Sequence, residues 1–351
     1  SINERGAAGK KLRLHICDTA FDAGRTEKQT EWLIKEKKIV ALLTAGSTQT
    51  LAAAALTLPA GVLTMSSSAT SPELTSKEDN SNLGLLWRTS PSDVIQGKGI
   101  ANLLLSDPRF NDAQTVGLIY LDDLYGQGLR DVLLTELSST PKNPVVVSYE
   151  RKNEATITPA VADLDQQDPD LTVVVGFEDD VSLIIKRAAD SINLKAESGH
   201  RWFFTDSAKD AQLLEDDRVR PQLQGAYGTA PAQGVGLAFN SFRSTFLTDF
   251  KEDPLEYSFT SHSYDSMYLL GLGVAYSQGT TNTVTSLKIA EGLTKVSDES
   301  LPPIELAPSK FTETSGELAA GRSINVAGAS GELQFDEAGE APSPIELWRV
   351  E

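Results

Sequence analysis

The chain has 351 residues, too many for one compact core and well suited to two lobes. Its apolar fraction of 40% is ordinary for a globular protein, and its longest apolar runs fall far short of the roughly 20 residues that span a bilayer. A net charge of −18 argues against nucleic acid and anionic membrane surfaces as partners, and leaves the sign of any pocket open.

Residues 1–9 are polar and glycine-bearing. The chain opens with neither Met nor a signal-peptide pattern, so an upstream segment is expected to have been removed. Leu12, Leu14 and Ile16 alternate with Arg13 and His15, which predicts a strand ending at Asp18. Cys17, the only cysteine, would sit in that strand as inert core; alone, it excludes an intrachain disulfide and thiol-rich metal sites. A helix is expected over 25–36 with Trp32 and Leu33 inward, then a buried strand over 39–43 and a helix over 49–58 stopped by Pro59. Residues 62–65 read as another short strand. Ser71-Pro72-Glu73 is a helix-start signal, with Ser71 as cap and Pro72 at the first helical position.

Beyond residues 83–87 the alternation continues. Helices are expected over 92–105, 126–137, 158–164 and 179–190, and strands over 116–120, 145–149, 171–175 and 202–205. Units of this kind imply a parallel sheet with helices on both faces. Residues 225–231 read as a strand, and 239–250, 260–277 and 284–293 as helices. The acidic, Pro-rich run 298–309 reads as a loop, and 323–326 as a strand. Residues 333–336 and 345–350, with a turn at 337–339, are expected to form a β-hairpin.

Two stretches share one design. The strand at 39–43 runs into Thr44-Ala45-Gly46-Ser47-Thr48 and a helix; the strand at 62–65 runs into three serines, Ala69-Thr70 and the helix start at Ser71. Hydroxyls beside the free N–H groups of a helix start can seat a carboxylate or similar anion. Both loops belong at one edge of a parallel sheet, where open α/β sheets bind ligands. On the residues alone, Ser47 and Thr70 are as readily plain helix caps.

At these residues the chain resembles the type I periplasmic solute-binding proteins, in the Leu/Ile/Val-binding-protein-like branch of branched-chain amino-acid and amide uptake. The matching pieces are Gly46-Ser47, residues 66–75 (SSSATSPELT), Arg88-Thr89 with Ser92-Asp93 and Gln96-Gly97, residues 120–128 (YLDDLYGQG), 264–270 (YDSMYLL) and 331–339 (GELQFDEAG). They cover nearly the whole chain. The resemblance implies a two-lobed α/β fold, each lobe a mostly parallel sheet flanked by helices, joined by a three-stranded hinge. Lobe one would hold residues 1–90 and 232–328, and lobe two 91–231 and 329–351. It implies a non-catalytic protein, periplasmic or on the extracellular face, lipid-anchored through the removed N-terminal segment. Such a protein closes on a small polar ligand, an amino acid or analogue, in the interlobe cleft and delivers it to an ABC transporter permease, without a cofactor.

Carried over residue by residue, Ser47 and Thr70 would meet the ligand carboxylate and the carbonyl of Ser68 its ammonium. Tyr125 would face the cleft, Phe177 form a lid and Phe259 a wall; Asp206 would pair with the ammonium, with Ser207 as the other holder of that slot. Each has a plainer alternative: Tyr125 as packing beside a helix cap at Asp122, the two phenylalanines as core, Asp206 as an N-cap. The family's first strand and helix lie before this chain's opening, so the slot between the strands at 12–17 and 39–43 is expected to hold a bound N-terminal fragment or a strand from a second chain. A ligand-sensing domain of a receptor or regulator shares the fold, as would an enzyme using Asp122, Asp123 or Asp206. Against the enzyme, there is no G-x-S-x-G elbow, phosphate loop or HExxH, and residues 328–331 resemble an elbow only superficially. His15, His200 and His262 show no metal spacing and read as surface or packing residues.

Overall fold

The computed structural model describes residues 2–77 and 84–351. It divides into two compact units: Ser1–Ser92, Ala232–Pro254 and Phe259–Ser343 form the first, and Asp93–Pro231, Leu255–Ser258 and Pro344–Glu351 the second. Residues 329–343 therefore belong to the first unit.

The first unit opens with helices α1 (Ile2–Arg5) and α2 (Ala23–Trp32). Asp22 caps α2, its carboxylate accepting from Arg25 N at 2.6 Å. A π-helical turn, Leu33–Lys37, extends α2. Leu33 is buried as expected, but Trp32 is 42% exposed; His15 meets its edge and Lys37 Nζ lies 4.5 Å over its ring. The expected strand at 12–17 does not form. Those residues join no ladder among the described residues, Leu14 and Ile16 are 62% and 92% exposed, and Cys17 is only partly buried. Alternation supplies strand propensity, yet a strand exists only where another backbone supplies its hydrogen-bond partners.

Next come β1 (Ala41–Thr44), α3 (Ser47–Thr57), β2 (Leu63–Ser66) and β3 (Leu86–Arg88), which build a parallel sheet in the order β1-β2-β3. β1 is at its edge. The helix expected from Ser71 is replaced by successive turns over 72–76, with Leu74 N donating to Ser71 O and Thr75 N to Pro72 O. The Ser71 carbonyl, which an α-helix would give to the Thr75 N–H, also accepts from Arg88 Nη1 at 3.0 Å.

The second unit runs α4 (Asp93–Ser106), β4 (Thr115–Leu121), α5 (Leu124–Leu137), β5 (Asn143–Tyr149), α6 (Glu154–Gln167), β6 (Leu171–Val175), α7 (Glu178–Ala188), β7 (Arg201–Phe204), α8 (Arg220–Leu223) and β8 (Tyr227–Pro231). The chain then returns to the first unit with α9 (Gly236–Phe250), α10 (Thr260–Thr281), α11 (Ser286–Leu293), β9 (Pro303–Glu305), α12 (Phe311–Ala319), β10 (Asn325–Gly328) and β11 (Gly331–Glu332). β12 (Ile345–Arg349) ends it in the second.

The second unit's sheet has the order β12-β8-β7-β6-β4-β5, parallel throughout except for β12 against β8. β5 is an edge strand, which is why it tolerates Pro144. Alternate residues of β4 and β6 feed two cores, Ile119, Leu121 and Val174 on one face and Leu118, Tyr120 and Val173 on the other. In the first unit, β2 and the buried α10 share a core with α11 through Leu63, Met65, Leu269, Leu272 and Ile289.

The expected terminal hairpin is not formed. β11 turns back on β10, whereas β12 pairs with β8 in another sheet. Trp348 of β12 lies over Gly228 and stacks on Phe204 at 6.2 Å, a fit that only a glycine opposite it allows. Within 298–309, expected as loop, β9 pairs in parallel with β10.

Candidate ligand-binding site

In the first unit, the loops after β1 and β2 meet. The Ser47 hydroxyl oxygen, on the first turn of α3, accepts from Thr70 N at 3.2 Å and Ser71 N at 3.1 Å. Gly46, at φ +77°, takes a conformation that disfavours a side chain, and a Cβ there would meet the Gln49 amide. Its N–H donates to Ser68 Oγ at 3.1 Å, so the Ser68 side chain braces the first loop. Ser66 Oγ accepts from Ala69 N, and Ser263 of α10 donates to Ser67 Oγ at 3.0 Å. Thr70 is 1% exposed, and its Oγ1 has no hydrogen-bond partner among the described residues.

Phe259 stands at the N-cap of α10 with φ +64°, a strained conformation for an aromatic residue, and its ring meets His262 edge-on at 5.6 Å. His262 is fully buried, which lowers its pKa to about 4, and its Nε2 is also without a hydrogen-bond partner among the described residues. Nearby in the sequence, Asp265 accepts from Ala329 N, Ser330 N and Ser330 Oγ; burial raises its pKa to about 6. This acid ties down the 328–331 turn, which is structural.

In the second unit, Tyr125 and Asp206 come together. The Tyr125 hydroxyl donates to Asp206 Oδ1 at 2.8 Å and lies 2.8 Å from Thr205 Oγ1. Burial, then the charges of Asp206 and Asp93, push the phenol well above its ordinary pKa. Burial likewise raises Asp206, against the hydrogen bond from Tyr125. Among the described residues Asp206 has no ion-pair partner; Ser207 Oγ reaches its Oδ2 at 3.3 Å. Phe177, at the N-cap of α7, lies 5.9 Å from the Tyr125 ring, with the Arg151 guanidinium 4.2 Å over its own ring. The residue capping α5 is Asp123, which accepts from Gly126 N, whereas Asp122 accepts from Gln127 Nε2.

Sequence reasoning brought Ser47 to Thr70 and Tyr125 to Asp206 only as members of one set; the contacts within each pair come from the fold. It missed Arg88, quoted only as part of a motif, whose guanidinium reaches the Thr70 loop. Among the described residues no group of three His, Cys, Asp or Glu could hold a metal ion, and no helix is long and apolar enough to cross a membrane.

Parallel α/β units with polar groups gathered at strand ends are the build of small-molecule binding modules. The model of the receptor family ligand binding region matches residues 1–351, and the chain belongs to that family. No curated protein matches it in sequence. Among solved structures, it is similar to the leucine binding protein LivK of Thermotoga maritima, at 17% identity over 99% of this chain and 87% of that one, with a TM-score of 0.77. The branched-chain amino acid transporter substrate binding protein LivJ of Streptococcus pneumoniae, in complex with isoleucine, gives 19%, 99%, 87% and 0.74. An ABC transporter solute binding protein of R. palustris, in complex with benzoate, gives 14%, 100%, 86% and 0.73. These likenesses are of fold, and they agree with the resemblance to type I periplasmic solute-binding proteins drawn from the sequence.

Proposed function

We propose that this chain is an extracytoplasmic solute-binding protein that captures a small carboxylate-bearing solute, an amino acid or close analogue, and delivers it to an ABC permease without turning it over. One observation carries the reading. Thr70 Oγ1 is sealed from solvent without a partner among the described residues, beside a Ser47 oxygen that already gathers two N–H groups. A buried hydroxyl left unpaired costs about 1–3 kcal/mol, so a site of this kind calls for an acceptor from outside. Isoleucine and benzoate, bound by two of the similar proteins, have the carboxylate in common. Asp206, desolvated and without an ion pair among the described residues, favours a ligand that also carries an ammonium. Ser68, Tyr125, Phe177 and Phe259 complete the contact set we propose.

Calorimetry with leucine, isoleucine and benzoate is the test. Losing a hydrogen bond to a charged partner should weaken binding about ten- to a hundredfold in Ser47→Ala and in Thr70→Ala. Unchanged affinity in both variants would place the carboxylate elsewhere. A sensing role is favoured by the receptor family to which the chain belongs; ligand uptake lost on deleting the gene supports transport, and uptake left intact supports sensing. On the free edge of β1, we propose a further strand from a bound N-terminal fragment or a second chain.

A further inference from the structure

Arg88, at the end of β3, is 1% exposed and turned against the loop that carries Thr70. Its Nη1 donates to Ala69 O at 3.1 Å and Ser71 O at 3.0 Å, and its Nη2 to Thr75 Oγ1 at 3.0 Å and Glu340 Oε1 at 2.6 Å. The backbones are paired as well: Arg88 N donates to Gly339 O, and Ala341 N to Arg88 O. The pair thus ties the Thr70 loop to the turn that ends at Glu340.

The Ala69 carbonyl and the Thr70 N–H belong to one planar peptide and point in opposite directions. Arg88 and Ser90 Oγ hold its oxygen end, and its hydrogen end donates to Ser47 Oγ. Ser71 N–H donates to the same oxygen. With two donors on its lone pairs, the Ser47 hydroxyl has only its own hydrogen left to offer. Hydrogen bonds in series polarise one another, most strongly where water is excluded. A guanidinium at the head of this chain therefore makes its last member a better donor to negative charge. Burying an arginine carries a desolvation cost that an apolar residue would avoid, and this use of its charge gives the burial a purpose.

We propose that Arg88 is a positioning residue that aims the loop carrying Thr70 and polarises the Ser47 donor, biasing the site toward anionic over neutral ligand groups, with Glu340 setting how much of its charge is felt. The inference rests on the carboxylate reading given above. Its test is calorimetry with two acid and amide pairs, leucine against leucinamide and benzoate against benzamide. The proteins are wild type, Glu340→Gln, Arg88→Lys and the double variant Arg88→Met/Glu340→Gln, which strands no buried carboxylate. The preference for acid over amide should fall about tenfold in the double variant and recover in part with lysine. It should rise in Glu340→Gln, where the guanidinium loses its counter-charge. A brace without an electrostatic role would weaken acid and amide alike; an unchanged ratio overturns the proposal and leaves the carboxylate seat standing. Should the double variant not fold, Glu340→Gln decides alone, and a ratio that stays level or drops overturns it. Wild-type protein that binds none of the four probes overturns the seat and the relay together.

Discussion

Among the described residues the donors on Asp206 are neutral, with Tyr125 on one oxygen and Ser207 on the other. Burial raises its pKa, so it ionises later than an ordinary carboxylate as pH increases. An ammonium placed against it would stabilise the ionised form. Affinity for leucine should therefore decline as pH falls through the raised value, because the pairing needs the charge that protonation removes. Asp206→Asn should weaken leucine binding by roughly ten- to a hundredfold and flatten that dependence. Leucine affinity indifferent to both pH and this substitution would leave Asp206 as a structural acid and reopen benzoate-like ligands. At this scale, the spacing of Ser47 and Thr70 was legible because each sits where a short apolar run stops. The role of Arg88 was not, since its four oxygen partners come from Ala69, Ser71, Thr75 and Glu340.

Among the elements, β1 is the one whose surroundings matter most. It pairs with β2 on one side and lies at the edge of its sheet, and its residues are only partly buried. A bare edge of this kind readily recruits another strand. The exposed Leu14 and Ile16 add apolar surface to the same unit. If an N-terminal fragment fills the edge, denaturing mass spectrometry of folded protein from its natural source should show a second polypeptide of about thirty residues, one typical strand and helix with connections. A second copy would instead double the native mass. A single species of monomer mass under both conditions removes the added strand. The expectation of a slot with two walls fails in any case, because 12–17 supplies no ladder.

For the molecule as a whole, two buried titrating groups of the first unit oppose each other. Asp265, raised to about 6 from 3.8, contributes stability that is full below 3.8 and is lost as pH rises through about 6. His262, lowered to about 4 from 6.5, works the other way: stability is full above 6.5 and is lost as pH falls through about 4. Each amounts to about 3 kcal/mol by linkage, so across this window they nearly cancel. His262→Gln should expose the Asp265 slope, with stability relative to wild type decreasing as pH rises from acid to neutral. Asp265→Asn should expose the opposite slope, and should also cost about 1–3 kcal/mol, since an amide cannot accept from all three donors at the 328–331 turn. Chemical denaturation across the window reads both; parallel curves for the two variants and wild type would mean that neither group titrates as described.

Local signals carried much of the α/β plan. Apolar runs, alternation and caps act over a few residues, which is why the strands at β4, β6 and β7 and the helices between them could be read in order. Other outcomes needed partners far away in the chain. Residues 12–17 have strand propensity and no ladder, while 333–336, expected to pair with 345–350, forms no strand, and β12 joined β8 instead. Ser71 to Ser76 carries a helix start and forms turns, with a guanidinium from β3 sharing the Ser71 carbonyl with Leu74 N. Trp32 sits outside beside a buried Leu33. Propensity and capping are properties of a short stretch, whereas strand pairing and burial depend on which other groups arrive, and only the tertiary structure decides that.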